Sequence, residues 1–181
     1  MEQKLESRYL IREQIGQGAF GVIYHALDEK NHREIAIKVW KAGSETEIFS
    51  HDNSPFLREE MIPGVVKIYD YFEKAGMNFL VMEYLPGGTL KQKLEMLRKQ
   101  SSQRQLLELF RPVLEGLAFL HSEGLVHCDL SPDNLMFDEA GNLKLIDLGA
   151  CRGKEIICDK KFMKEAYSAP EQYTAPDRIG P

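Results

Sequence analysis

A change of hydrophobic period near residue 86 predicts an α+β fold built from two lobes. Before it, short runs of β-branched and aromatic residues are separated by turn signals. After it, leucines recur at helical spacing. The 181 residues are enough for one domain with a substantial core, or for two small lobes. Residues 1–85 are expected to form the sheet lobe and 86–181 a helical one.

The strands come first. Tyr9-Leu10-Ile11 leads into a glycine segment, and Val22 to Leu27 runs to a turn at Asp28 to Asn31. Glu34 to Trp40 follows, dense in strand formers. Val65 to Phe72 and Asn78 to Glu83 add two more, turning at Lys74-Ala75-Gly76, so five antiparallel strands are predicted. Between them, Ser44-Glu45-Thr46-Glu47 fits a capping box and starts a helix. Pro55 interrupts it, and Phe56 to Met61 makes a second short helix. Past Pro86-Gly87-Gly88, a connecting hinge, Leu90, Leu94 and Leu97 share a helical face. Leu106, Leu109, Phe110, Val113, Leu114, Leu117 and Leu120 form a longer core-facing stripe.

Composition narrows the function classes. Hydrophobic residues at 43% and charged residues at 28% are ordinary for a globular chain. A net charge of -5 gives no support to nucleic-acid binding, which usually shows a basic stripe. Cys128, Cys151 and Cys158 are odd in number and form no C-x-x-C pair, which points to reduced thiols and a cytoplasmic setting. Met1 to Glu6 lacks a secretory apolar core, and no run approaches bilayer length.

The chemistry is concentrated in six stretches. Gly16, Gly18 and Gly21 have G-x-G-x-x-G spacing, which lets backbone amides approach phosphates. The following residues continue as a strand, which argues against a dinucleotide fingerprint, where a helix follows. Lys38 lies mid-strand in Ala36-Ile37-Lys38. Met82-Glu83-Tyr84 ends the last strand. His127-Cys128-Asp129 runs through Asn134, placing a carboxylate and an amide five residues apart in a loop. Asp147-Leu148-Gly149 and Ala169-Pro170-Glu171 complete the set. Taken singly, a solvent-facing lysine or a glycine hairpin is the plainer explanation of such pieces; the fixed order of all six is what carries weight.

In that order the stretches resemble the eukaryotic-like (bacterial-type) serine/threonine protein kinase family, over residues 9–181. The resemblance implies a bilobal kinase-like fold whose C-lobe is partial, because that family has further helices after Ala-Pro-Glu. It implies ATP and Mg²⁺ as cofactors and a protein substrate whose serine or threonine hydroxyl receives the γ-phosphoryl group. Asp129 would orient that hydroxyl, and Asn134 and Asp147 would hold metal. Lys38 would pair the phosphates with a helix glutamate. Glu45 is chosen over Glu47, Glu59 and Glu60 because Phe49 follows it by one turn. Ile15, Gly16, Gly18, Gly21, Val22, Ala36, Met82, Glu83, Leu85 and Leu135 would bind the nucleotide, with backbone groups of Glu83 and Leu85 meeting the base. Cys128 and Ser131 depart from residues common in the family, an arginine and a lysine. Two rivals stand beside this reading. One is a non-catalytic nucleotide-binding protein; the other is a small-molecule phosphotransferase, which would lack the glycine loop and the Ala-Pro-Glu closure.

Overall fold

The structure is a computed structural model, and it describes residues 3–18, 21–42, 56, 61–153 and 166–174. The chain divides into two compact units. One comprises residues 1–59 and 67–85; the other comprises residues 60–66 and 86–181. The later unit thus recruits a short piece of chain from ahead of the last two strands of the first.

The first unit is an antiparallel sheet of strands β1 (Gln3–Leu5), β2 (Tyr9–Gly18), β3 (Gly21–Asp28), β4 (Arg33–Lys41), β5 (Ile68–Lys74) and β6 (Met77–Glu83), in the order β1-β2-β3-β4-β6-β5. Five strands were expected; the sixth is β1, which pairs Gln3 with Ile11 and Leu5 with Tyr9. It turns back through Glu6 and Ser7, both at positive φ, without the Gly, Asn or Asp that usually marks such a turn. The β5–β6 turn is easier to read. Ala75 and Gly76 both have positive φ, as a two-residue hairpin loop requires.

Alternation along the strands puts Tyr9, Ala26, Ile35, Ile37 and Val81 into one buried cluster. Asp28 closes one end of it. Completely buried, its carboxylate accepts two 2.8 Å bonds from the Arg8 guanidinium and one of 2.7 Å from the Asn31 amide. Arg33 approaches the same group at 3.2 Å. The Arg8 bonds hold the Asp28 carboxyl well below the usual range against the opposing effect of burial.

The second unit carries α1 (Leu90–Gln100) and α2 (Gln103–Ser122). Both begin with reciprocal capping boxes, Thr89 with Gln92 and Ser102 with Gln105. Val113, Gly116 and Leu120 are the buried residues of α2. Leu114, expected in the core stripe, is exposed; it lies at the stripe's edge, one residue round from Val113. Two small two-stranded antiparallel sheets and a short helix follow. They are β7 (Leu125–Val126) with β10 (Arg152–Gly153), β8 (Leu135–Phe137) with β9 (Leu143–Leu145), and α3 (Pro170–Thr174).

Residues 64–66 are built into this unit. The Leu145 amide donates to the Gly64 carbonyl at 2.7 Å, and the Val66 amide donates to Leu145 at 2.9 Å. Gly64 has φ +62, and a β-carbon there would lie 2.1 Å from the Pro112 carbonyl of α2, so only glycine fits. Gly87 and Gly88, expected as a hinge, exchange backbone hydrogen bonds with Phe137 at 3.0 and 2.9 Å. The helices expected within 43–61 lie outside the described residues, apart from buried Phe56 and exposed Met61; Met61 is not helical. Among the described residues no helix is long and apolar enough to cross a membrane.

Candidate active site

In the first unit, sheet register decides which side chains share a face. Residues directly opposite one another in an antiparallel pair point the same way. Lys38 is opposite Ile23 on β3 and Leu80 on β6, and Ala36 is opposite His25 and Met82. Lys38, Ala36, Met82 and Ile23 therefore belong to one face. Val22 is opposite Val39, on the face that carries the buried cluster, which Val39 packs against. Of the residues assigned to the nucleotide, Val22 is thus turned away from Ala36 and Lys38. The sequence reading missed Ile23, which the β3–β4 register places directly opposite Lys38.

The glycines frame the β2–β3 turn. Gly16 pairs with Ile23, and Gly18 pairs with Gly21 to close the ladder. Gly21 has φ +122, and a β-carbon on it would sit 2.3 Å from the Val39 carbonyl. A side chain at 21 would push the turn off β4. Ile15, ahead of the first glycine, is exposed. At the end of β6, Met82 and Leu85 are buried. The Glu83 amide donates to the Lys67 carbonyl at 2.9 Å, and its carboxylate accepts from the Lys67 amide at 3.2 Å. That spends the Glu83 N–H within the protein, so it is not a donor for a ligand. Glu45, Glu47, Glu59 and Glu60 all lie outside the described residues.

In the second unit, the loop from His127 to Asn134 is irregular and held by specific bonds. Asp129 and Asn134 are 9% and 7% exposed. The Asn134 amide nitrogen donates to the Asp129 carboxylate at 2.7 Å and to the Asp129 backbone carbonyl at 2.8 Å. This brings the two predicted residues into direct contact. It also fixes the amide's orientation, leaving its carbonyl oxygen as the end directed elsewhere. The Asp129 amide donates to Nδ1 of buried His127 at 3.2 Å, so a neutral ring carries its proton on Nε2.

Asp147 is tied to the same loop through its neighbour, because the Ile146 amide donates to the Asn134 carbonyl at 2.9 Å. Leu135, the next residue, pairs with Leu145 and is buried. Asp147 has φ +55 and ψ +65, a left-handed conformation that aspartate tolerates better than most residues. Cys128, just before Asp129, also has positive φ, +62. Two such residues in one short constellation are typical of strain kept at a functional site. Leu148, the apolar residue between Asp147 and Gly149, is buried.

The protein kinase domain family matches residues 9–181. The chain is 33% identical over 160 residues to the probable serine/threonine-protein kinase pknA2 of Bifidobacterium longum, covering 83% of this chain and 21% of that one. It is 35% identical over 157 residues to serine/threonine-protein kinase PknL of Mycobacterium bovis, covering 82% and 38%. The stk11 homolog of Dictyostelium discoideum, also named a serine/threonine-protein kinase, is 28% identical over 179 residues, covering 92% and 30%. The chain thus spans well under half the length of these curated relatives. With a family match running over almost all of its residues, the chain belongs to the protein kinase domain family.

Proposed function

We propose that the protein is an ATP-dependent serine/threonine protein kinase that transfers the γ-phosphoryl group of ATP to hydroxyls of protein substrates. The observation that carries the reading is the paired contact of Asn134 with Asp129. One amide fixes a carboxylate through its nitrogen, and its oxygen would be the end that meets a cation. In this reading the Asp129 carboxylate accepts a hydrogen bond from the incoming hydroxyl and orients its oxygen for in-line attack. Lys38 meets the nucleotide phosphates, with Glu45 its assigned partner, and the backbone of Gly16, Gly18 and Gly21 covers them. Ile23, Ala36, Met82, Leu85 and Leu135 supply apolar contact to the base.

Asn134 and Asp147 fit a magnesium ion: both offer hard oxygen donors, and the Ile146–Asn134 bond keeps their segments adjacent. Among the described residues no ready-made cluster of three or more acidic, histidine or cysteine side chains could hold a metal, so the phosphates would complete the shell. When bound, the ion neutralises charge on the phosphates. A cytoplasmic setting, where ATP is available, belongs to the same reading.

The test is transfer of labelled γ-phosphate from ATP·Mg²⁺ to a generic protein acceptor, followed by phosphoamino-acid analysis. Asp129→Ala should lower the rate by about 10²–10⁴-fold, with label on serine or threonine in the parent chain. Equal rates for the two proteins, or no transfer by either, would leave a non-catalytic nucleotide-binding protein as the better account.

A further inference from the structure

Glu171, which ends the Ala-Pro-Glu stretch, is exposed, whereas its neighbour Gln172 is only 6% exposed. A buried amide needs partners for both ends, and this one has them in two different segments. Its nitrogen donates to the Cys128 carbonyl at 2.9 Å, and its oxygen accepts from the Ala169 amide at 2.9 Å. One side chain therefore links the start of α3 to the residue immediately before Asp129.

We propose that Gln172 is a positioning residue for the catalytic loop, holding the Cys128 peptide in its left-handed conformation so that Asp129 is presented correctly. The inference rests on the kinase reading of Asp129. Cys128 is a poor residue for φ +62, because its β-carbon crowds the backbone there. Something outside the loop has to favour that conformation, and the bond to the Cys128 carbonyl does so from a fixed support. The carbonyl belongs to the peptide whose nitrogen is that of Asp129. Rotation of the peptide would also disturb the Asp129 amide bond to His127. The bond to Ala169 matters as well. It fixes which end of the Gln172 amide points at Cys128, so the donor faces the carbonyl. The start of α3 and the loop that carries Asp129 are thereby ordered together.

Two substitutions separate the roles of this amide. Gln172→Glu keeps the shape and the acceptor for Ala169 but loses the donor to Cys128; Gln172→Leu loses both. Each should lower kcat roughly tenfold or more, while KM for ATP stays within about twofold. Parent-like kcat in both variants would overturn the proposal, as would a rise in KM with kcat unchanged.

A second measurement does not depend on turnover. With Cys158→Ser as background, iodoacetamide labelling of half-buried Cys128 is followed by peptide mass. Cys151 is fully buried, and its thiol is pushed up by that burial, so it should react slowly. Labelling of Cys128 should speed up about tenfold in Gln172→Glu. An unchanged labelling rate would overturn the proposal even in a chain that turns over no ATP. Absence of turnover in the parent chain would instead count against the kinase reading alone.

Discussion

The two units hold their functional side chains in contrasting ways. Lys38 is placed by register, flanked by Ile23 and Leu80 on adjacent strands, and every rung of the ladder votes for the same alignment. A slip of one residue would turn the whole core face outward, so the position is over-determined. Asp129 and Asn134 sit instead in a loop fixed by a few named bonds, with Cys128 held at positive φ. Regular structure distributes the job of positioning; the loop concentrates it. Substitutions in the first unit should therefore act mainly on stability, and substitutions in the loop mainly on rate.

The largest expected effect tests the sheet half of that contrast. Asp28→Ala removes the buried carboxylate shared by Arg8, Asn31 and Arg33 and should cost about 3 kcal/mol or more of unfolding free energy, measured by urea titration. A cost below about 1 kcal/mol would mean the cluster is not a keystone of the sheet. The same group predicts the pH response. Its folded pKa is lowered, so its contribution is complete above the ordinary carboxylate range near pH 4. It is lost as the pH falls below that range. Asp28→Asn should flatten the acid limb of the stability curve, and an unaltered limb would refute the assignment.

Next comes the loop. Asn134→Ala should lower kcat about a hundredfold while moving the urea midpoint little, because the residue's partners are catalytic rather than core. A large stability loss with kcat retained would erase the contrast. Smaller again is the register test on β3. Ile23→Ala should raise KM for ATP about tenfold through lost apolar contact, whereas Val22→Ala, on the other face, should leave it within about twofold. The reverse result would restore Val22 to the site. At the bottom of the scale, Thr89→Ala should cost about 1 kcal/mol through loss of the α1 cap and leave turnover unaltered.

Much of this fold was legible because periodicity is a strong signal. The runs around Ile35 and Val81 and the leucine spacing of α2 announce themselves. What escaped has identifiable causes. β1 is only three residues long, too short to show alternation. Leu114 matches the helical period but lies beyond the buried arc. Val22 and Ile23 are equally apolar neighbours, so composition could not say which faced Lys38; only the pairing across the β3–β4 turn does. Asp129 and Asn134 could be read from order and spacing, whereas Gln172 could not. A glutamine carries no hint of burial, and its partner is 44 residues away.

The piece of chain at residues 60–66 has a consequence for biosynthesis. Its partners in the second unit, Leu145 and the Pro112 region of α2, emerge from the ribosome long after it does. The six strands can be complete once Glu83 has appeared, yet the stretch from Gly64 to Val66 must wait with open backbone groups until Leu145 is made. Fragments divided at residue 85 would put it on a different chain from those partners, so such a pair should be recovered soluble only when produced together.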